Sequence, residues 1–207
     1  MINTSEIIRE DENKMKSENY SSIYRSIHWA IAISMILIAV TIFLRLTWLN
    51  KNHVAGIISN YMVTTGQSLT QDQMILLAKK IRKPMWEWHI YLGYVLTRLF
   101  SIRFFLPLFG EMKFKNPLAK QIDLKEKFKS WVYLIFYCCI VITLVTGLVI
   151  ELGPKYLKES MEEIHVLSIY YLSVFIILHL GGVLLAEFTK EKGIISRIVS
   201  GRNEIEE

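Results

Sequence analysis

The chain has 207 residues, enough for one domain of ordinary size, and a formal net charge of +5. Of these residues 52% are hydrophobic and mean hydropathy is +0.32, with the apolar positions gathered into four long blocks, which argues against a soluble globular domain. The basic excess forms no stripe with interleaved aromatics outside those blocks, so nucleic-acid binding is set aside and the charge reports first on membrane orientation.

Residues 1–22 are polar and of mixed charge, so the first apolar run begins too late for the core of a cleaved signal peptide, and that segment is expected to be retained. The first helix is expected over about 26–49, "SIHWAIAISMILIAVTIFLRLTWL", with Arg45 near its far end. A long outer loop, 50–85, follows. Within it His53 in "NKNHVAG" reads as a solvated residue. Further on, "LTQDQMILLAKKIRK" places Gln73 three residues after Thr70, the pattern of a capping box. Met74, Ile75, Leu77, Ala78 and Ile81 then form an apolar stripe at helical spacing. This predicts a short amphipathic helix lying on the membrane or on the end of the bundle, or else a docking surface for a partner or quinone.

The second helix is expected over about 86–108, "EWHIYLGYVLTRLFSIRFFLPLF", weakened as a span by Arg98 and Arg103. The third, about 131–151, carries no charge over "WVYLIFYCCIVITLVTGLVI" and contains Cys138 and Cys139, whose adjacency gives neither a disulfide framework nor a zinc site. No C-x-x-C-H occurs, which excludes covalent c-type haem. The fourth, about 164–187, holds His165 and His179, and residues 189–207 form a C-terminal tail. Trp29, Trp48, Trp86, Trp88 and Trp131 fall at block ends, where interfacial aromatics belong.

The tail before His28, the loop between helices two and three, and the C-terminal tail together carry fourteen Lys and Arg, against seven in the other two loops. The positive-inside rule therefore puts both termini in the cytoplasm. The expected architecture is all-α, an integral membrane four-helix bundle over residues 23–188 with cytoplasmic termini.

Four histidines fall in the expected helices, and an ionisable group inside a membrane is costly enough to count as a functional candidate. On one continuous helix, His165 and His179 lie about 21 Å apart along the axis and about 40° apart around it. Topology then sets His28 level with His179 and His89 level with His165. Two facing imidazoles at each of two depths is what two six-coordinate haems require. A proton or metal pathway is the competing reading, and it makes the chain a haem-free transporter. A passive anchor with dispensable histidines is a third.

Gly93 lies one turn from His89, and Gly181 and Gly182 follow His179; such glycines let a porphyrin approach the backbone or simply pack helices. Arg25 and Arg103 reach the inner level, as haem-propionate partners or as cations snorkelling to headgroups. No catalytic acid or base stands out, because Glu87 and Glu187 read equally well as interfacial charges.

The stretch "IYRSIHW" resembles the basic-x-x-His-Trp opening of the first helix in the bacterial cytochrome b561 and nickel-iron hydrogenase cytochrome b family. "WEWHIYLGYVLTRLF" resembles the family's second-helix histidine with its following Gly and Arg, and His165 and His179 match its paired ligands. "HLGGVLLAEFTKEKGIISRIVSGR" resembles the C-terminal segment of hydrogenase-type members, so the likeness runs over residues 22–203. The resemblance implies two non-covalent b haems with His28, His89, His165 and His179 as axial ligands. It also implies electron exchange with the quinone pool from the bacterial inner membrane. The partner is then a periplasmic hydrogenase or other dehydrogenase; in the stand-alone version the chain itself acts as a quinol-linked oxidoreductase. A single chain and a homo-oligomer both stay open.

Overall fold

A computed structural model describes residues 21–109, 124–189 and 193–201. Seven α-helices occur among them: α1 (Ser22–Leu46), α2 (Lys51–Thr64), α3 (Gln71–Phe105), α4 (Leu124–Leu152), α5 (Lys158–Val166), α6 (Ser168–Thr189) and α7 (Ile194–Val199). Short 3-10 turns, Leu106–Phe109 and Lys155–Leu157, follow α3 and precede α5. Four segments are long and apolar enough to cross a membrane: Ser22–Leu46, Gln71–Phe109, Glu126–Leu152 and Lys155–Thr189. The second has the lowest mean hydropathy, 1.4 against 2.1 to 2.5 for the others, as its arginines require.

Large apolar side chains point outward, among them Ile177 at 70% and Phe188 at 78% exposure, whereas Ser34, Thr41, Arg103, Ser130, Thr146 and Ser168 are buried. That inversion suits a chain whose solvent is lipid. The hydroxyls of Ser34 and Thr146 bond back to Ala30 O and Ile142 O at 2.7 and 2.8 Å, so neither is stranded in the apolar medium.

The described residues fall into two compact units. The first comprises residues 21–29, 105–109, 124–189 and 193–201. In it α4 packs against α5 and α6, and α6 against α7. α4 stops at Gly153, where a Cβ would sit 2.5 Å from Val149 O, and Pro154 prevents continuation. The stretch expected as one helix over 164–187 is interrupted at Leu167, whose N–H bonds Ile164 O at 3.2 Å while Tyr170 N bonds Leu167 O at 3.1 Å. These tightened three-residue bonds put His165 on α5 and His179 on α6.

The C-terminal tail contains α7, held at both ends. The Glu187 carboxylate accepts from Gly193 N and Ile195 N at 2.9 and 3.0 Å, at the end where the helix dipole favours a negative charge. At the other end Trp29 Nε1 donates to Ile198 O at 3.1 Å and Arg25 Nη1 to Val199 O at 3.4 Å. Of the expected N-terminal tail only its last residues are described.

The second unit is Ala30–Phe104. Here the segment expected as a loop with one short helix forms α2 and then the first four turns of α3, which run without a break through Pro84. The helix is 35 residues long, about 52 Å, well beyond the ~30 Å of a hydrocarbon core. Proline removes one N–H donor and crowds the preceding turn. Packing of Ala78, which is fully buried, with Met74 and Ile75 against Val54 and Ala55 of α2 offsets that cost. The capping box forms: Thr70 N bonds Gln73 Oε1 at 2.9 Å and Gln73 N bonds Thr70 Oγ1 at 3.3 Å. Thr70→Ala is expected to cost about 1 kcal/mol locally and to speed amide exchange in residues 71–74 without touching the spans, as hydrogen-exchange mass spectrometry would show.

Candidate haem-ligating histidine sites

The first unit brings His28 and His179 together. Their ring centroids lie 6.1 Å apart with the planes inclined at 48°. His28, on α1, is flanked by Tyr24 one turn earlier at 6.4 Å and by Trp29 edge-on at 5.9 Å. His179, on α6, stacks on Phe175 at 5.6 Å, and Phe175 stacks on Phe136 of α4 at 3.6 Å. The Tyr133 hydroxyl of α4 lies 3.3 Å from His179 Nδ1.

His165 is also in this unit. Its Nδ1 lies 3.1 Å from Thr143 O and 3.2 Å from Thr146 Oγ1, both on α4. A carbonyl oxygen can only accept, and the Thr146 hydroxyl spends its single hydrogen on its own helix, on Ile142 O at 2.8 Å. The hydrogen-bond network therefore assigns the His165 proton to Nδ1, which leaves the lone pair on Nε2. Gly147 makes the fit close: a Cβ there would stand 3.0 Å from His165 Cε1.

His89 lies in the second unit and obeys the same logic. Its Nδ1 is 2.8 Å from Thr41 Oγ1, while that hydroxyl donates to Ile38 O at 2.6 Å. Nδ1 again carries the proton. The other face of His89 stacks on Trp86 at 4.5 Å and 5°, and the Arg45 guanidinium lies 4.0 Å over the Trp86 ring. His53 sits exposed near the start of α2.

Metal-binding imidazoles characteristically hand their second nitrogen to a neighbouring acceptor, which fixes ring orientation. Thr41, Tyr133, Thr143 and Thr146 supply such partners, and sequence reasoning did not single them out. Polar side chains inside apolar blocks were the available signal, because such groups need partners in lipid.

The arrangement fits a haem on several counts. The 6.1 Å between the His28 and His179 ring centroids leaves room for one metal ion that both imidazoles would hold. A Cβ added at Gly93, Gly181 or Gly182 meets no described atom within 4 Å. Arg25 Nε is buried and lacks a hydrogen-bond partner among the described residues, an unfilled donor one turn from His28 suited to a propionate. Arg25 Nη2 donates to Ser22 Oγ at 3.2 Å, and Arg103 is buried in the last turn of α3. Among the described residues no cluster of three or more His, Cys, Asp or Glu could hold a metal ion, and His28 with His179 is the imidazole pair that the first unit brings together.

Apolar spans that carry four half-buried imidazoles, three of them with a partner at Nδ1, are the features of a membrane b-type cytochrome. The model of the family described as prokaryotic cytochrome b561 matches residues 19–201, and the chain belongs to that family. Its members are membrane di-haem b-type cytochromes that work in electron transfer, so this is a multi-pass membrane protein that binds haem b. No curated protein and no solved structure matches the chain.

Proposed function

We propose that this cytochrome carries electrons across the bacterial inner membrane, between the quinone pool and a redox partner such as a hydrogenase or other dehydrogenase. The carrying observation is the His28–His179 pair, 6.1 Å apart and backed by Tyr133. These two would hold one haem b, and His89 with His165 the other. Haem would supply a one-electron iron couple, and two histidines to each haem would favour electron transfer over reaction with oxygen or substrate.

Register along two helices, each taken by itself, is in keeping with two ligand depths. On α1, Thr41 follows His28 by thirteen residues, and on α4, Thr146 follows Tyr133 by thirteen. Each step is about 20 Å of helix. One end of each helix thus serves the His28–His179 pair, and the other end steadies His89 or His165. Arg25 and Arg103 are the proposed propionate partners, and Gly93 gives a porphyrin room beside His89. The charge bias of the loops favours cytoplasmic termini and a four-helix bundle inserted accordingly. The ordered outer segment, α2 with the first turns of α3, favours a protein partner over a stand-alone role.

A reduced-minus-oxidised visible spectrum with haem extraction, on detergent-purified protein, tests this. The expected result is a b-type α-band with about two haems per chain. A preparation that stays colourless after haem is supplied would sink the reading and return the histidines to a proton or metal pathway.

A further inference from the structure

At the end of the second unit that carries His89, a cleft of about 210 Å³ is lined by Arg45, Lys79, Arg82, Lys83, Met85 and Trp86. Four of the six are cations and none is a carboxylate. The Lys83–Glu87 pair at 3.4 Å is exposed on both sides and removes only part of that charge. Arg82 Nη1 reaches Leu49 O at 3.5 Å, and Arg45 is steered over the Trp86 ring, so two of the guanidinium groups are oriented before any ligand arrives.

The level of the cleft identifies its ligand. Arg45 stands in the last turn of the first apolar span, and Lys79 to Trp86 occupy the turns where α3 changes from surface helix to span. Trp48 and Trp88, 71% and 64% exposed, mark the same boundary. Phospholipid phosphates lie at that depth, and a cluster of cations there attracts anionic ones. The volume suits a headgroup, at about 30 Å³ per displaced water, with the acyl chains left along the outward apolar faces of α1 and α3.

We propose that this cleft is a binding site for the phosphate headgroup of an anionic phospholipid. Trp86, which stacks on His89, joins the cleft to the proposed haem site, so haem content is read beside lipid binding in the test.

The test uses the full chain, exchanged into phosphatidylglycerol or into phosphatidylcholine, with lipid retention read by native mass spectrometry and haem content read from the visible spectrum. Wild type is expected to retain phosphatidylglycerol preferentially. In Lys79→Gln with Arg82→Gln that preference should fall by about 25-fold, at roughly fivefold per neutralised cation, with the haem spectrum unchanged. Lys79→Arg with Arg82→Lys should keep it, which separates charge from folding. Equal retention of the two lipids by wild type, or a preference that survives the glutamine pair, would overturn the proposal. Displacement of the lipid by millimolar inorganic phosphate would reassign the cleft to a soluble anion. Loss of haem in the glutamine pair with lipid preference intact would assign the cations to the cofactor instead.

Discussion

His28→Ala and His179→Ala are each expected to lower bound haem from about two per chain to about one, and the double variant to lower it no further. The rings sit 6.1 Å apart on the first and last apolar spans, so on the proposed ligation either truncation would remove one of the two histidines that hold the same haem. Partners that act as one unit show this non-additivity, whereas ligands to separate haems would add. The measurement is haem per protein by extraction, together with the low-temperature α-band of what remains. Both single variants should retain the same residual band. If the double variant were colourless while each single variant kept a different band, the pairing of His28 with His179 would be wrong.

Gly147→Leu is expected to abolish the other haem while sparing the first. A Cβ at this position would already stand 3.0 Å from His165 Cε1, and the longer leucine side chain has to push the ring away from α4. The displacement breaks the contacts of Nδ1 with Thr143 O and Thr146 Oγ1. Overpacking of this kind costs about 1–3 kcal/mol, and each lost hydrogen bond about 1 more. The tautomer assignment lapses with them, so Nε2 no longer presents its lone pair at a fixed angle. Gly147→Ala should fall between, because a ring can yield by a few tenths of an ångström. Haem content and the residual α-band again decide. Full retention of both haems by Gly147→Leu would show that His165 does not ligate from this position.

What the sequence made legible was whatever depends on local chemistry. Four runs of apolar residues announce four spans because a helix in lipid needs that many side chains to cross. The Thr70–Gln73 box was legible because its two bonds close within three residues. The continuity of α3 through Pro84 was not legible, since proline usually ends a helix, and here contacts of Ala78 with a segment twenty-odd residues earlier keep α3 going. The interruption at Leu167 had no signal at all, with neither glycine nor proline beside it. The histidines themselves stood out as ionisable groups in apolar surroundings. Their Nδ1 partners did not, because Thr41 and His89 are separated by 48 positions and only tertiary packing joins them. Docking of α7 on Arg25 and Trp29 was hidden for the same reason, with separations of 174 and 169 positions.

His28 stands near the start of the described chain, while His165 and His179 both belong to its last apolar span. On the proposed ligation, neither haem would have both of its histidines until that final segment has left the ribosome and entered the bilayer. Cofactor capture would then be a late event in the life of the molecule, closed to unfinished chains. A translation product cut short before α5 would sit in the membrane without withdrawing haem from the cell.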